Sequence, residues 1–156
     1  MSTSLAPEID ASEWLNTEAP LTLAGLRGKV VVIEAFQMLC PGCVQHGVPQ
    51  AQRIAAAFRS ADVQVVGLHT VFEHHAVQGT RAALEVFLHE FRVAFPVAID
   101  RQEGRLPATM AAYGMQGTPT LVLIDRTGRR RAQHLGMIPD LEVGAAIGQL
   151  VAETAA

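Results

Sequence analysis

The sequence predicts an α/β fold with a central mixed β-sheet and helices on both of its faces. Predicted strands and helices alternate along the chain, which is the pattern of a sheet covered by helices on two sides. The run Lys29–Phe36 is almost wholly apolar and rich in β-branched residues, as expected for a strand buried on both faces. The last two predicted strands are joined by the tight turn Asp125–Gly128, so they must be antiparallel. The sheet is therefore predicted to be mixed.

The length of 156 residues is close to that of a single domain, and residues 1–156 are predicted to form one unit. With 49% hydrophobic and 17% charged residues, the composition is that of a globular protein. The net charge of −3 gives no electrostatic reason to expect nucleic acid or an anionic membrane surface as a partner. No apolar run approaches the ~20 residues of a membrane span. We therefore expect neither nucleic-acid nor membrane binding and, with no evident dimer surface, a monomer.

The N-terminal segment carries two acidic residues within its first ten positions and neither a basic n-region nor an apolar h-region. It does not have the pattern of a signal peptide, which favours a cytoplasmic location. In the cytoplasm stable disulfides are rare, and paired cysteines tend to be catalytic, redox-sensing or metal-binding. The chain has only two cysteines, which excludes a disulfide scaffold and a four-cysteine zinc site.

The elements before the middle of the chain are predicted from short apolar runs and turn residues. Trp14-Leu15 and Leu21–Leu23 flank an Asn-Thr-Glu-Ala-Pro stretch, and we expect them to form a short N-terminal edge hairpin. A helix is predicted from Cys40 to about Ser60. Pro49 lies within it and should kink it, because proline lacks an N–H and clashes with the preceding turn.

The remaining elements continue the alternation. Arg81–Phe91 has apolar residues three and four apart, which predicts an amphipathic helix. A short helix has Pro107 in its first turn and Gly114 just past its end. The other predicted elements are strands at Val63–Leu68, Phe95–Asp100, Thr120–Ile124 and Arg129–Leu135, a polar loop with Glu73, His74 and His75, and a closing helix at Pro139–Ala152.

The two cysteines form the sequence Cys40-Pro-Gly-Cys43, directly after the buried strand and at the start of a helix. A helix N-terminus carries unpaired N–H groups and a partial positive charge, which stabilise a thiolate. We therefore predict that Cys40 is the exposed attacking thiolate and that Cys43, one turn further in, is the buried resolving thiol. The intervening Pro41 and Gly42 are expected to tune the pair.

Three further features are consistent with a redox dithiol. Glu34 lies in the middle of an apolar strand, and as a buried acid it could exchange a proton with Cys43, the alternative being an ion pair with a nearby cation. A proline just before a strand would be explained by a cis Thr118–Pro119 bond, which would leave the Thr118 backbone free to pair with a substrate. His46 follows Cys43 by three residues and could tune the dithiol.

Together these residues resemble thioredoxin-fold proteins of the TlpA/ResA-like redoxin group, which is related to the AhpC/TSA proteins. The resemblance covers roughly Pro7 to Leu150, the core of one thioredoxin-like domain. It implies a thioredoxin fold with a strand–helix insertion before the third strand, thiol–disulfide oxidoreductase activity, a cis-proline at Pro119 and Glu34 as the buried acid. The matching segments are Gly28–Phe36, Cys40–Cys43, Tyr113–Asp125 and Arg126–Gly128.

The chain also departs from this group. Leu39 stands where a tryptophan usually precedes the first cysteine, and the inner dipeptide is Pro-Gly rather than Gly-Pro or Glu-Pro. His46 occupies a position where glutamate is frequent, and Pro49 lies one residue later than the usual helix proline. Most members of the group are exported, so the expected cytoplasmic location is a further departure.

The function predicted from these residues is a thiol–disulfide oxidoreductase that reduces protein or small-molecule disulfides, receives electrons from a thiol donor and needs no cofactor. One alternative is a thiol peroxidase, but the position three residues before Cys40 is Gln37, where a peroxiredoxin needs a hydroxyl. The other alternative is a metal-binding module that uses the cysteines and a histidine. His74 and His75 are adjacent, whereas ligand histidines usually lie three to five residues apart, so no metal is expected.

Overall fold

A six-stranded mixed sheet forms the centre of the computed structural model, which describes residues 3–153. The strand order is β1-β4-β3-β2-β7-β8, in which β4, β3 and β2 are parallel to one another and every other pair is antiparallel. These strands are β1 (Ala11–Leu15), β2 (Val30–Phe36), β3 (Val63–His69), β4 (Val97–Asp100), β7 (Thr120–Ile124) and β8 (Arg130–Leu135). A separate two-stranded ribbon contains β5 (Gln102–Glu103) and β6 (Leu106–Pro107). The first two and last three positions of the predicted domain lie outside the described residues.

Helices cover both faces of the sheet, as the sequence predicts. Successive side chains of β2 point to opposite faces, and all seven residues of this strand are buried. One face packs against apolar residues of α1, α3 and α5, and the other packs against Met110 of α4 and the residues around Tyr113. The helices are α1 (Val48–Ala57), α2 (His75–Gln78), α3 (Arg81–Glu90), α4 (Ala108–Ala112) and α5 (Asp140–Ala152).

The predicted N-terminal hairpin is wrong. β1 contains Trp14-Leu15, but it pairs antiparallel with β4, whose residues lie more than eighty positions later in the chain. The segment Leu21–Leu23 is not a strand, and the Leu23 N–H donates to the Glu8 carboxylate at 2.7 Å. Asn16 ends β1 in a left-handed conformation with φ of 60°, and its amide donates to two carbonyls just before β4. The apparent turn residues therefore tie β1 to a distant strand.

The helix predicted from Cys40 to about Ser60 is interrupted near its start. Cys43–Gly47 forms a π-helical turn, in which the Val48 N–H donates to the Cys43 carbonyl five residues back. α1 continues directly from this turn and ends at Ala57, and Pro49 is its second residue. A π turn contains one residue more than an α turn. Pro49 thus follows a turn that is one residue longer than an α turn.

The other elements lie within about two residues of their predicted bounds, with two omissions. The predicted polar loop contains the short helix α2, and the ribbon of β5 and β6 was not expected. No helix in residues 3–153 has the length and apolar character needed to cross a membrane.

Candidate active site

The two cysteines lie at the carboxyl end of β2, where the chain turns into the π turn. Cys40 is half-buried and Cys43 is completely buried. The Cys43 N–H donates to the Cys40 sulfur at 3.2 Å, so the predicted contact between the first sulfur and the start of the helix is present. On its other side the Cys40 Sγ lies 3.5 Å from the Thr118 carbonyl oxygen.

The second cysteine has a different electrostatic environment. Burial raises the pKa of the Cys43 thiol strongly, and a hydrogen bond with Cys40 raises it further. Hydrogen bonds from the Gln37 backbone and the Thr118 side chain act in the opposite direction. Cys43 is therefore held as a neutral thiol, with two donors placed around the sulfur on which a thiolate would form.

The loop opposite the cysteines contains a cis peptide bond between Thr118 and Pro119, as the sequence predicts. Gly42 lies against this proline, since a Cβ added to the glycine would be 3.3 Å from the Pro119 Cδ. Pro41 is exposed at the start of the helical turns. The Cys-Pro-Gly-Cys segment and the cis-proline loop thus form the two walls of one site.

Glu34 is buried in the centre of β2, with 1% of its surface exposed. Its Oε1 has no hydrogen-bond partner, and the structure shows no ion pair between Glu34 and any described cation. Desolvation raises its pKa well above that of an ordinary glutamate, and the negative charge of Cys40 adds to this. A Cβ at Gly47 would clash with Glu34 Oε1 and would lie 2.8 Å from Pro119 Cβ. Only a glycine at this position of the π turn leaves room for the carboxyl group, which lies within electrostatic range of Cys40.

His46 lies on the π turn and is half-buried, and its Nε2 is enclosed without a hydrogen-bond partner among the described residues. It is within electrostatic range of Asp140 at the start of α5. The pKa of Asp140 is lowered mainly by hydrogen bonds from Arg53 and Gln50, and the charge of His46 adds a smaller contribution. A tuning role for His46 stays a prediction.

Two buried glutamines were missed as site residues. Gln37, three residues before Cys40, and Gln78, at the end of α2, are each 1% exposed and share a hydrogen bond of 3.0 Å. Gln37 also reaches the Thr118 hydroxyl at 3.4 Å, and Gln78 accepts the Leu39 N–H at 3.0 Å. The position of Gln37 directly after an apolar strand was a usable signal. The sequence contained no comparable signal for Gln78, because a glutamine in a polar stretch is usually exposed.

An apolar groove of about 450 Å³ runs from the Cys40 loop to α3. Leu39, Val77, Val86 and Phe91 contribute to its walls, and each of them is about half exposed or more. Glu90 is the one charged residue of the lining, which is otherwise formed by Met38, Leu39, Val44, Val77, Gln78, Ala83, Val86, Phe87 and Phe91. The loop that carries the exposed sulfur therefore adjoins a large apolar surface.

His74 and His75, which were considered as metal ligands, do not form a ligand cluster with the two cysteines. His75 Nε2 lies 3.1 Å from the Val71 carbonyl oxygen. Within residues 3–153, no three His, Cys, Asp or Glu side chains are grouped so that they could hold a metal ion.

Comparison with known proteins gives one family match and several relatives. The family model described as Redoxin matches residues 1–147. The chain is 29% identical over 138 residues to protein DipZ of Mycobacterium tuberculosis, which covers 86% of this chain but 19% of DipZ. It is 27% identical over 126 residues to the thiol-disulfide oxidoreductase ResA of Geobacillus thermodenitrificans, which covers 81% of this chain and 64% of ResA. The chain thus spans about a fifth of the length of DipZ and somewhat under two thirds of ResA.

Two solved structures are similar over almost the whole chain. A crystal structure of a thioredoxin-like superfamily protein has a TM-score of 0.95 and 55% sequence identity, and the match covers 97% of this chain and 99% of that one. A thiol-disulfide isomerase from Corynebacterium glutamicum has a TM-score of 0.91 and 52% identity, with 97% and 98% covered.

Proposed function

Since the chain belongs to the redoxin family, as its resemblance to TlpA/ResA-like proteins predicts, we propose that it is a thiol–disulfide oxidoreductase with Cys40 and Cys43 as its redox pair. The observation that carries the proposal is the placement of the two sulfurs. Cys40 is accessible and receives the Cys43 N–H, whereas Cys43 is buried directly behind it. This asymmetry supports one attacking and one resolving cysteine.

In the first step the Cys40 thiolate attacks one sulfur of a substrate disulfide. A bond forms between the Cys40 sulfur and that substrate sulfur, the substrate disulfide breaks, and the other substrate sulfur leaves as a thiolate that takes up a proton. The Thr118 carbonyl lies next to the Cys40 sulfur, so the backbone of an extended substrate can pair with the cis-proline loop while the sulfurs react.

In the second step Cys43 loses its proton and attacks the Cys40 sulfur, which forms the Cys40–Cys43 disulfide and releases the second substrate thiol. The dithiol thereby gives two electrons to the substrate, and a thiol donor restores it by the reverse exchange. Formation of the mixed disulfide removes the negative charge of Cys40, which is one of the two causes that raise the pKa of Glu34. The carboxyl group then ionises more readily and gives its own proton to water, and we assign the resulting Glu34 carboxylate as the acceptor of the Cys43 proton.

The apolar groove beside Leu39 supports protein disulfides as substrates in preference to small polar ones. A polypeptide joined to Cys40 must lie next to this groove, because Leu39 precedes the reacting residue and lines the groove itself. Burial of apolar side chains against Val77, Val86 and Phe91 would stabilise that complex by about 25 cal/mol for each Å² removed from water. Neither the cytoplasmic location nor the monomeric state is tested by these contacts, and both stay predictions.

The test is reduction of the insulin disulfides in the presence of dithiothreitol. We expect turnover by the wild type and none above background by Cys40→Ser. When Cys43→Ser is incubated with insulin in the absence of dithiothreitol, a substrate-linked species should accumulate, which can be detected by mass spectrometry. Leu141, an exposed residue of α5 outside the groove lining, provides the control variant Leu141→Ser with wild-type turnover. Full turnover by Cys40→Ser, or no disulfide exchange by the wild type, would contradict the proposal.

A further inference from the structure

We propose that Gln37 and Gln78 are positioning residues, which hold the Thr118 hydroxyl so that it donates to the Cys43 sulfur during the resolving step. The inference rests on the proposed function, since it concerns the second of the two exchange steps. It also gives a role to α2, which contributes neither of the two cysteines.

Gln78 has one available orientation. Its Oε1 accepts the Leu39 N–H at 3.0 Å, which only an oxygen can do. Its Nε2 donates to the Glu73 carbonyl at 2.7 Å and to Gln37 Oε1 at 3.0 Å. Because the backbone contacts fix which end of the amide is nitrogen, Gln78 must present a donor to Gln37.

Gln37 is oriented in turn by Gln78. Its Oε1 accepts from Gln78 and from the Phe72 N–H at 3.2 Å, so its Nε2 lies at the opposite end. That nitrogen contacts the Glu73 carboxylate at 3.3 Å and the Thr118 Oγ1 at 3.4 Å. An amide nitrogen can only donate, so the Thr118 oxygen is the acceptor and its single proton is directed elsewhere.

The acceptor assigned to this proton is the Cys43 sulfur. The hydrogen bond from this side chain lowers the pKa of Cys43, against the larger effect of burial. When Cys43 attacks, negative charge develops on a sulfur that water does not reach, and a donor already in place stabilises it. The same residue faces Cys40 through its carbonyl oxygen. Thr118 therefore lies beside the dithiol, and its side chain is held through Gln37 by Gln78.

The experiment compares two buried glutamines. Gln50 is as buried as Gln78 and donates to the Ile138 carbonyl at 2.7 Å, but it lies on α1 and touches neither Leu39 nor Gln37. Gln78→Leu and Gln50→Leu each remove buried hydrogen bonds, so a general loss of stability should appear in both. The readout is the rate at which a preformed mixed disulfide between Cys40 and a peptide is resolved, measured from pH 6 to pH 10.

We expect Gln78→Leu to resolve the mixed disulfide about 10-fold more slowly at pH 7, which is the size of effect expected when a hydrogen bond to a charged group is lost. Its pH profile should move to higher pH. Gln50→Leu should keep the wild-type profile, and in Gln78→Leu the initial attack by Cys40 should remain within about two-fold of wild type. Thr118→Val, which lacks the hydroxyl, should resolve the mixed disulfide as slowly as Gln78→Leu, and Thr118→Ser should keep the wild-type pH profile. The double variant Gln78→Leu/Thr118→Val should be no slower than Thr118→Val alone.

Equal effects of Gln78→Leu and Gln50→Leu, or an unchanged profile in Thr118→Val, would overturn the role of the two amides. The Thr118 pair keeps the test valid if Gln78→Leu fails to fold, because valine and threonine have nearly the same shape. Failure of Cys43→Ser to form any mixed disulfide is a different result, which would overturn the proposed function itself.

Discussion

Two carboxyl groups are buried to the same extent in this protein, and their surroundings differ. Asp100, at the end of β4, is 1% exposed and accepts three hydrogen bonds, from the Thr70 hydroxyl at 3.0 Å and from the N–H groups of Thr109 at 2.8 Å and Met110 at 3.0 Å. Glu34, in the centre of β2, is also 1% exposed, and its Oε1 accepts none. Asp100 is thus fully engaged in hydrogen bonds within the fold, whereas Glu34, for which we propose a role in proton transfer, is not.

Unpaired burial of a carboxyl group disfavours its charged form, and a fold keeps such a group only where something else selects for it. Asp100 satisfies N–H groups in the first turn of α4, which would otherwise lack intrahelical partners. Glu34 satisfies no comparable group, lies beside Gly47 and Pro119, and responds to the charge of Cys40. These surroundings support the role in proton transfer that we propose for Glu34.

The largest expected effect is on stability, from Asp100→Ala. This variant loses three hydrogen bonds to a buried acceptor and leaves two N–H groups of α4 unpaired, so the free energy of unfolding should fall by about 4–5 kcal/mol in urea denaturation. The fraction that remains folded should resolve mixed disulfides at the wild-type rate. A stable variant, or a folded one that is slow in resolution, would remove the distinction between the two carboxyl groups.

A smaller effect, and one on activity, is expected from Glu34→Gln. Loss of the proton acceptor should slow resolution by Cys43 about 100-fold at pH 7, the lower end for general acid–base catalysis and equivalent to about 3 kcal/mol. The variant should also unfold less readily than the wild type at high pH. The folded-state pKa of Glu34 is raised, so its stabilising contribution is complete at low pH and is lost as pH rises above about 4.5, whereas glutamine does not ionise.

The measurement for Glu34→Gln is therefore a pair of pH series, one of unfolding in urea and one of resolution kinetics. A difference in unfolding free energy that grows with pH, together with slower resolution, supports the assignment. Wild-type kinetics in Glu34→Gln would show that the buried acid does not exchange a proton with Cys43.

Much of the fold follows from local sequence. β7 has its predicted bounds, Thr120–Ile124, because a short run of apolar and β-branched residues between turn residues strongly favours a buried strand. The cis bond before Pro119 follows from the difficulty of placing a proline next to a strand. The burial of Glu34 follows from its apolar neighbours. In each case the residues that decide the structure are adjacent in the chain.

Features that depend on distant contacts could not be predicted. The partner of β1 is β4, and no local pattern distinguishes that pairing from a hairpin with Leu21–Leu23. Pro49 predicted a disturbance of the helix, but the π turn depends on how closely Gly47 approaches Glu34 and Pro119. The hydrogen bond between Gln37 and Gln78 joins residues forty-one positions apart. Polar residues of this kind are recognised only when the fold shows what they contact.

The smallest expected effect comes from His69, which tests whether an unpartnered buried group always belongs to the active site. Its ring lies against Phe36 at 5.2 Å between centroids, its Nε2 has no partner among the described residues, and burial lowers its pKa to about 4. The unfolded chain binds this proton more tightly than the folded protein does, so stability is lost as pH falls from about 6.5 toward 4, the opposite direction to Glu34. By linkage His69 should account for a loss of about 2 kcal/mol between pH 7 and pH 5.

The variant His69→Leu should therefore remove about 2 kcal/mol of the difference in unfolding free energy between pH 7 and pH 5, and it should leave resolution of the mixed disulfide unchanged. An unchanged pH dependence would mean that His69 keeps its proton in the folded protein at pH 5, as it does in the unfolded chain. A change in resolution kinetics would instead place His69 with Glu34, because a missing partner would then indicate a site residue in both cases. If only stability responds, a buried polar atom without a partner is not enough to indicate a functional residue. The residue must also interact with the reacting sulfurs, as Glu34 does through the effect of the Cys40 charge on its pKa.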